Sequence, residues 1–265
     1  MVFVVQTWRM LQPEIHNAFM NMAIDESILE MRTRNAVPDT IRFYRWNPSA
    51  VSIGRFQDLE KQARIEDCRR HGVDIVRRIT GGGSVYHDSE DEITYSVVAG
   101  KDKLDAGDIG QVYAKVYSGL SEALRTLGMR ADFDEGNEKT CPNLTVNGKK
   151  ISGSSQAHRK GVVLQHGTLL LRVDLEKMFT FLRVPWAKTC LQVVNVAKDR
   201  LTSIEAETGR SVSTSEVADA LEKGFEKALA IKFENAHLTP MEFQLADSLY
   251  KQKYAVESWN FSGRS

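Results

Sequence analysis

The chain has 265 residues, 42% hydrophobic and 26% charged, a composition typical of folded globular proteins and far from the apolar-poor, highly charged regime of disordered chains. Lys and Arg number 35, as do Asp and Glu, so no overall basic field draws the molecule to nucleic acid or to an anionic membrane, and neither is expected as a partner. No apolar run nears the ~20 residues that cross a bilayer, no signal-peptide pattern is visible, and Cys68, Cys141 and Cys190 fit neither a disulfide framework nor a zinc spacing; a cytoplasmic location without a bound metal is the expectation.

Length permits one large domain or two small ones, and no repeat or linker divides the chain. After Asn17, an N-cap residue type, Met20, Ile24, Ile28 and Met31 recur on one helical face. Residues 41–45 and 50–53 read as strands, and residues 60–71 as one polar helix stopped by Gly72. A short strand ending near Arg78, a glycine-rich turn and a strand over 92–98 follow. The strongest helix covers about residues 111–127, where Tyr113, Val116, Tyr117, Leu120, Leu124 and Leu127 make one apolar stripe. Asn147-Gly148 accepts the positive φ angles of a two-residue turn and predicts a tight hairpin over residues 144–152. Branched apolar residues predict a long strand over 161–173. Ser213-Thr214-Ser215-Glu216 and Thr239-Pro240-Met241-Glu242 each match a helix capping box. The pattern predicts an α/β core over about residues 1–205 and a helical C-terminal extension over about 205–265. Strands and helices do not alternate as simple βαβ units, so the sheet should be mixed.

Three segments carry residues suited to chemistry. In Arg77-Arg78-Ile79-Thr80-Gly81-Gly82-Gly83-Ser84-Val85-Tyr86-His87-Asp88, the glycines let backbone N–H groups approach a ligand, and the arginines offer planar donors to phosphate or carboxylate. A surface turn with solvated arginines is the bland alternative. The chain has neither a P-loop nor a Gly-x-Gly-x-x-Gly turn, so a nucleotide held here would sit on neither. In Asn147-Gly148-Lys149-Lys150, strand alternation aims the lysines at opposite faces; an inward ammonium is costly unless it meets an anion, whereas two solvated lysines would need no explanation. In Leu164-Gln165-His166-Gly167-Thr168, the histidine is either a satisfied core side chain or a pocket group. Ser84, His87 and Asp88 lack the sequence context of a hydrolytic triad.

Other stretches complete a pattern: Asn21-Met22-Ala23-Ile24-Asp25-Glu26, Ile41-Arg42-Phe43-Tyr44-Arg45-Trp46, Ser52-Ile53-Gly54-Arg55-Phe56-Gln57, Lys253-Tyr254 and Glu257-Ser258-Trp259-Asn260. In order and spacing, over nearly the whole chain, these segments resemble the lipoate-protein ligase and octanoyltransferase branch of the lipoate/biotin protein ligase superfamily. The resemblance implies an α/β (α+β) fold with a mixed β-sheet and flanking helices, like the catalytic core of class II aminoacyl-tRNA synthetases. It implies an enzyme, foremost a lipoate-protein ligase catalytic subunit. Such ligases use ATP and Mg2+ to convert lipoate to lipoyl-AMP, then pass the lipoyl group to a lysine of a lipoyl domain. Acceptors of this kind are the E2 subunits of 2-oxoacid dehydrogenases and the glycine-cleavage H protein. By position, Arg78, Gly83, Ser84, Val85 and Tyr86 fall where the family binds ATP and the acyl-adenylate. Lys150 falls on its essential lysine, and Gly82, His87, Asp88 and His166 lie beside that pocket.

Two features depart from the ligase pattern. Two-domain ligases carry a C-terminal accessory domain that this chain is too short to hold; either a separate small accessory subunit supplies it, or the chain does not activate lipoate with ATP. Cys141 also precedes the Lys149-Lys150 hairpin, where related octanoyltransferases place a thioester-forming cysteine. The gap is shorter here, and Gly81-Gly82-Gly83 resembles the ligases more than their Gly-Gly-Arg-type loop. The expectation is therefore a ligase with an incidental Cys141. The alternative is an octanoyltransferase that loads Cys141 from octanoyl-acyl carrier protein without ATP. A non-catalytic subunit that docks lipoyl domains is the third reading.

Overall fold

The computed structural model describes residues 5–137 and 141–263. Its strands are β1 (Gln6–His16), β2 (Thr40–Trp46), β3 (Ala50–Ile53), β4 (Asp74–Arg77), β5 (Val85–His87), β6 (Glu92–Gly100), β7 (Asp132–Asp134), β8 (Asn143–Val146), β9 (Lys149–Arg159), β10 (Val162–Leu170) and β11 (Ile231–Ala236). The helices are α1 (Ala18–Thr33), α2 (Leu59–Gln62), α3 (Ile65–Arg70), α4 (Ile109–Thr126), α5 (Leu175–Phe181), α6 (Cys190–Ala197), α7 (Ile204–Thr208), α8 (Thr214–Leu229), α9 (Pro240–Leu249) and α10 (Glu257–Ser262). A large sheet runs β11-β1-β2-β6-β10-β9-β8-β7, and a small one runs β4-β3-β5. β1 is parallel to β11 and β2, whereas β2, β6, β10, β9, β8 and β7 pair antiparallel in turn. The fold is thus a mixed α/β architecture, as expected.

The two faces of the large sheet differ in chemistry. On one face, Ile41 and Phe43 of β2, Ile93, Tyr95 and Val97 of β6, and Val163 and Leu169 of β10 pack with Val116 and Leu120 of α4 and Leu221 and Phe225 of α8. Side chains alternate along a strand, so the intervening residues turn toward α1. These include Arg42, Tyr44, Trp46, Thr94, Ser96 and His166, all buried. α1 starts where Asn17 accepts a hydrogen bond from the Met20 N–H (2.9 Å). It buries Asn21 and Asp25 along with Met22 and Ile28 because the sheet beneath it is polar.

Two expected elements changed. The helix over 60–71 is split into α2 and α3, because Ala63 bridges to Leu182 and the Arg64 N–H donates to the Phe181 carbonyl (2.8 Å). The C-terminal extension is not wholly helical: β11 lies within it and joins the large sheet beside β1. β1 itself, α5 and α6 were not foreseen from the sequence.

The α5–α6 arm is fixed at two points. At one, just after α5, the Arg183 N–H donates to the Gln62 carbonyl (2.9 Å). At the other, the Lys150 N–H donates to the Arg200 carbonyl (2.8 Å) and the Thr202 N–H to the Lys150 carbonyl (2.9 Å). Among the described residues, no helix is long and apolar enough to cross a membrane.

Candidate active site

A cavity of about 290 Å³ lies where the two sheets meet beneath the α5–α6 arm. Met22, Trp46, Leu170, Met178, Phe179 and Leu182 give it an apolar interior. Arg78, Gly82, Gly83, Ser84, Val85, Tyr86, His87, Cys141, Lys150 and His166 all line it, so residues far apart in the chain are brought together. Asp88 is the exception and a correction to the sequence reading. Its carboxylate faces away, accepting from the Tyr86 hydroxyl (3.2 Å) and pairing with Lys177 (2.7 Å), because the residue after His87 points to the opposite side of the strand end. Ser84 donates to the Gln62 side chain (3.3 Å). Tyr86 stacks on Phe181, and burial pushes its phenol up to about 12.

Arg77 and Arg78 separate by the same alternation. Arg77 turns outward and donates to the carbonyls of Gly54, Arg55 and Gln57 and of Trp259, Asn260 and Phe261, at 2.6–3.2 Å. It staples the C-terminal helix to the loop after β3. Arg78 turns inward, and every guanidinium nitrogen is committed. Nε donates to Thr80 Oγ1 (3.1 Å) and Ser155 Oγ (3.3 Å), Nη1 to Ser52 O (3.2 Å) and Oγ (3.1 Å), and Nη2 to Gly81 O (2.7 Å) and Gly83 O (2.6 Å). Burial lowers its pKa to about 10. Arg78 therefore shapes the glycine loop, with no nitrogen left uncommitted for an incoming phosphate.

Two hydroxyl–imidazole–carboxylate chains run outward from Arg78. Ser52 Oγ accepts from Arg78, so its proton goes to His87 Nε2 (2.8 Å), and His87 Nδ1 donates to Glu92 (2.7 Å). Thr80 Oγ1 accepts from Arg78 and from Ser155 (2.8 Å), leaving its proton for His166 Nε2 (2.8 Å); His166 Nδ1 donates to Asp25 (2.8 Å). Burial holds the His166 imidazolium below its usual pKa, outweighing the Asp25 contact. Burial alone would raise Asp25, but His166, Arg42 and Tyr44 hold its carboxyl below the usual value. With both ring nitrogens occupied, neither histidine is free to act as a base. Asp25, Ser52, Thr80, Glu92 and Ser155 were missed as network members. Asp25 and Ser52 stood within family-like stretches, but no local spacing announces a partner many residues away.

The opposite wall holds two uncommitted reactive groups. The tight turn is present, with Asn147 at φ 50° and Gly148 at φ 76°. Lys149 and Lys150 diverge as expected: Lys149 Nζ reaches the Lys198 carbonyl (3.3 Å) outside, and Lys150 lines the cavity. Lys150 Nζ makes no hydrogen bond among the described residues. A Cβ on Gly153 would lie 2.5 Å from it, so a side chain there would push the tip of the lysine aside. Burial lowers the Lys150 pKa and Arg78 lowers it further, while Cys141 opposes both. Cys141 is exposed, and its Sγ lies 3.7 Å from where a Cβ on Gly82 would stand. Gly82 and Gly83 donate their own N–H groups to no protein acceptor among the described residues. A thiol, a lysine biased toward its neutral form and free loop amides thus share one apolar cavity, a set suited to acyl transfer.

The comparisons with known proteins agree on the family. The model of the lipoyl protein ligase A/B catalytic domain matches residues 17–226. The protein named octanoyltransferase LipM of Brevibacillus brevis is 33% identical over 276 residues, covering 97% of this chain and 99% of the relative. The LipM of Bacillus subtilis is 31% identical, covering 97% and 98%. A bi-partite lipoate protein ligase of Thermoplasma acidophilum, described together with its E2 lipoyl domain, superimposes with a TM-score of 0.84 at 30% identity over 98% of both chains. A lipoate-protein ligase A bound with ATP superimposes with a TM-score of 0.84 at 31% identity, over 97% of this chain and 99% of that one. The chain belongs to the lipoyl protein ligase A/B family and is an enzyme of lipoyl or octanoyl transfer.

Proposed function

We propose that this family member is an octanoyltransferase that carries the acyl group as a thioester on Cys141 and delivers it to a lysine of a lipoyl domain. The observation that carries this reading is the meeting of the Cys141 thiol with the Lys150 amine, which has no hydrogen-bond partner among the described residues, in one cavity whose arginine is already committed. The relatives named octanoyltransferase support it. Against the sequence expectation, Cys141 is then the nucleophile rather than incidental.

The acyl-carrier thioester needs no activation by ATP. Neutral Lys150 takes the thiol proton, and the sulfur attacks the thioester carbonyl while the Gly82 and Gly83 amides receive the developing oxyanion. The C–S bond to the carrier breaks, and its thiolate leaves with the proton returned by Lys150. The acceptor lysine amine then attacks octanoyl-Cys141. A C–N bond forms, the C–S bond breaks, and the amine's proton passes through Lys150 to the released sulfur. The apolar interior holds the chain, each buried CH₂ contributing about 0.8 kcal/mol.

A second reading, ATP-dependent lipoate ligation, is favoured by the likeness to the ATP-bound ligase. There lipoate and ATP with Mg2+ would be substrates, the free loop amides and Lys150 would meet the phosphate, and a small accessory subunit could be required. In either reading the acceptors are lipoyl domains such as those of 2-oxoacid dehydrogenase E2 subunits and the H protein. The deciding experiment incubates the protein with octanoyl-acyl carrier protein, without ATP, and then with an apo lipoyl domain. An octanoyl adduct on Cys141 that chases to the acceptor lysine is expected. Transfer seen only with lipoate and Mg-ATP, and no adduct, would overturn the reading.

A further inference from the structure

One tyrosine of the apolar stripe on α4, Tyr117, reaches the segment between Cys141 and β8. Tyr117 is almost fully buried, yet its hydroxyl donates to the Pro142 carbonyl (3.1 Å), one peptide beyond the Cys141–Pro142 bond. That hydroxyl accepts from Ser154 Oγ (2.9 Å), Ser154 Oγ accepts from Gln165 Nε2 (3.0 Å), and the Gln165 carbonyl accepts from Gln156 Nε2 (2.6 Å). The chain of donors therefore starts on β9 and β10, the central strands that also carry Lys150 and His166, and ends on the backbone beside the thiol. On the other side of Pro142, Asn143 Nδ2 donates to the Cys141 carbonyl (2.9 Å). Proline fixes its own φ and restricts the residue before it to extended backbone. Among the described residues, two carbonyl contacts and one proline thus orient Cys141, and the contact of Tyr117 comes from a different layer of the fold.

We infer that Tyr117 is a positioning residue for the Cys141 nucleophile, its hydroxyl setting the backbone beside Cys141 in register with Lys150 and the glycine loop. The inference rests on the reading of Cys141 as the thioester nucleophile. Tyr117→Phe keeps the ring, which stacks with Tyr113 (centroids 6.2 Å apart) and meets Phe133 at a tilt (5.6 Å), and removes only the oxygen. A misplaced nucleophile loses rate rather than substrate affinity.

The test is single-turnover loading of Cys141 from octanoyl-acyl carrier protein, together with steady-state transfer and thermal unfolding. Tyr117→Phe is expected to load about tenfold or more slowly, with KM values for carrier and lipoyl domain and the unfolding midpoint nearly unchanged. Ser154→Ala should cost less and add little in the Tyr117→Phe background, because both act through one carbonyl. Ser154→Thr, which keeps the hydroxyl, should restore the rate. Loading as fast in Tyr117→Phe as in the wild type overturns the positioning role. So does a loss that merely follows a lowered folded fraction, or full additivity with Ser154→Ala. Absence of any adduct on wild-type Cys141 overturns the thioester reading itself, and the positioning role with it.

Discussion

The two walls of the cavity are built on opposite plans. The wall around Arg78 is saturated: its nitrogens are all committed, and two buried hydroxyl–imidazole chains carry its hydrogen bonds on to Glu92 and Asp25. The wall of Cys141 and Lys150 is spare, with an amine that has no hydrogen-bond partner among the described residues and a thiol held through neighbouring backbone carbonyls. Buried polar groups that satisfy one another rigidify a site, whereas groups that must exchange protons with a substrate need unfilled positions. Polarity alone therefore does not mark the reactive residues here; the meeting of a thiol, an amine and free loop amides in one cavity does.

Removing the nucleophile should break the spare wall most completely. Cys141→Ala is expected to lower ATP-independent octanoyl transfer by at least about 10³-fold with the unfolding midpoint unchanged, read from lipoyl-domain mass after incubation with octanoyl-acyl carrier protein. Lys150→Ala should follow, at roughly 10²–10⁴-fold, without loss of thermal stability because burial already disfavours its ammonium; Lys149→Ala should remain near wild type. The saturated wall should fail in the other currency. Arg78→Lys cannot reach the same spread of acceptors and should lower the unfolding free energy in denaturant by about 2–4 kcal/mol. If instead it spares stability and abolishes transfer, the contrast between the walls is wrong.

The smallest effect lies in pH. His166 binds its proton more weakly in the folded state than the usual 6.5, so its contribution is fully present above that value and declines as pH falls below it. Stability should drop on acidification from pH 7.5 to 5.5 by no more than about 1.4 kcal/mol per unit from this group, and His166→Gln should flatten that slope. An unchanged slope in the variant would mean the imidazole is not held neutral.

What the sequence made legible was local. The Asn-Gly turn dictates the hairpin, so the opposite facing of Lys149 and Lys150 could be read directly. The stripe from Tyr113 to Leu124 located α4, whose described span is Ile109–Thr126. Both arginines were visible as candidates, but the difference between them depends on where β4 ends relative to two separate loops. β11 escaped notice because it is held in the sheet by a partner at the far end of the chain, and β1 because it carries Pro13 and charged residues that weaken any strand signal. The Arg78 network escaped for the same reason: its members come from α1, β3, β6, β9 and β10, and only the folded sheet puts them within hydrogen-bond reach.

The pairing of β1 with β11 also has a bearing on synthesis. The first described strand cannot acquire its outer neighbour until residues 231–236 have emerged from the ribosome, and Arg77 lacks three of its carbonyl acceptors until Trp259, Asn260 and Phe261 have followed. A nascent chain stalled before residue 231 would present the outer edge of β1 as an open template for another strand. Closure of the large sheet beside β1 and capture of Arg77 therefore both wait on segments that follow the cavity residues in the chain, and until then that strand edge is open to mispairing.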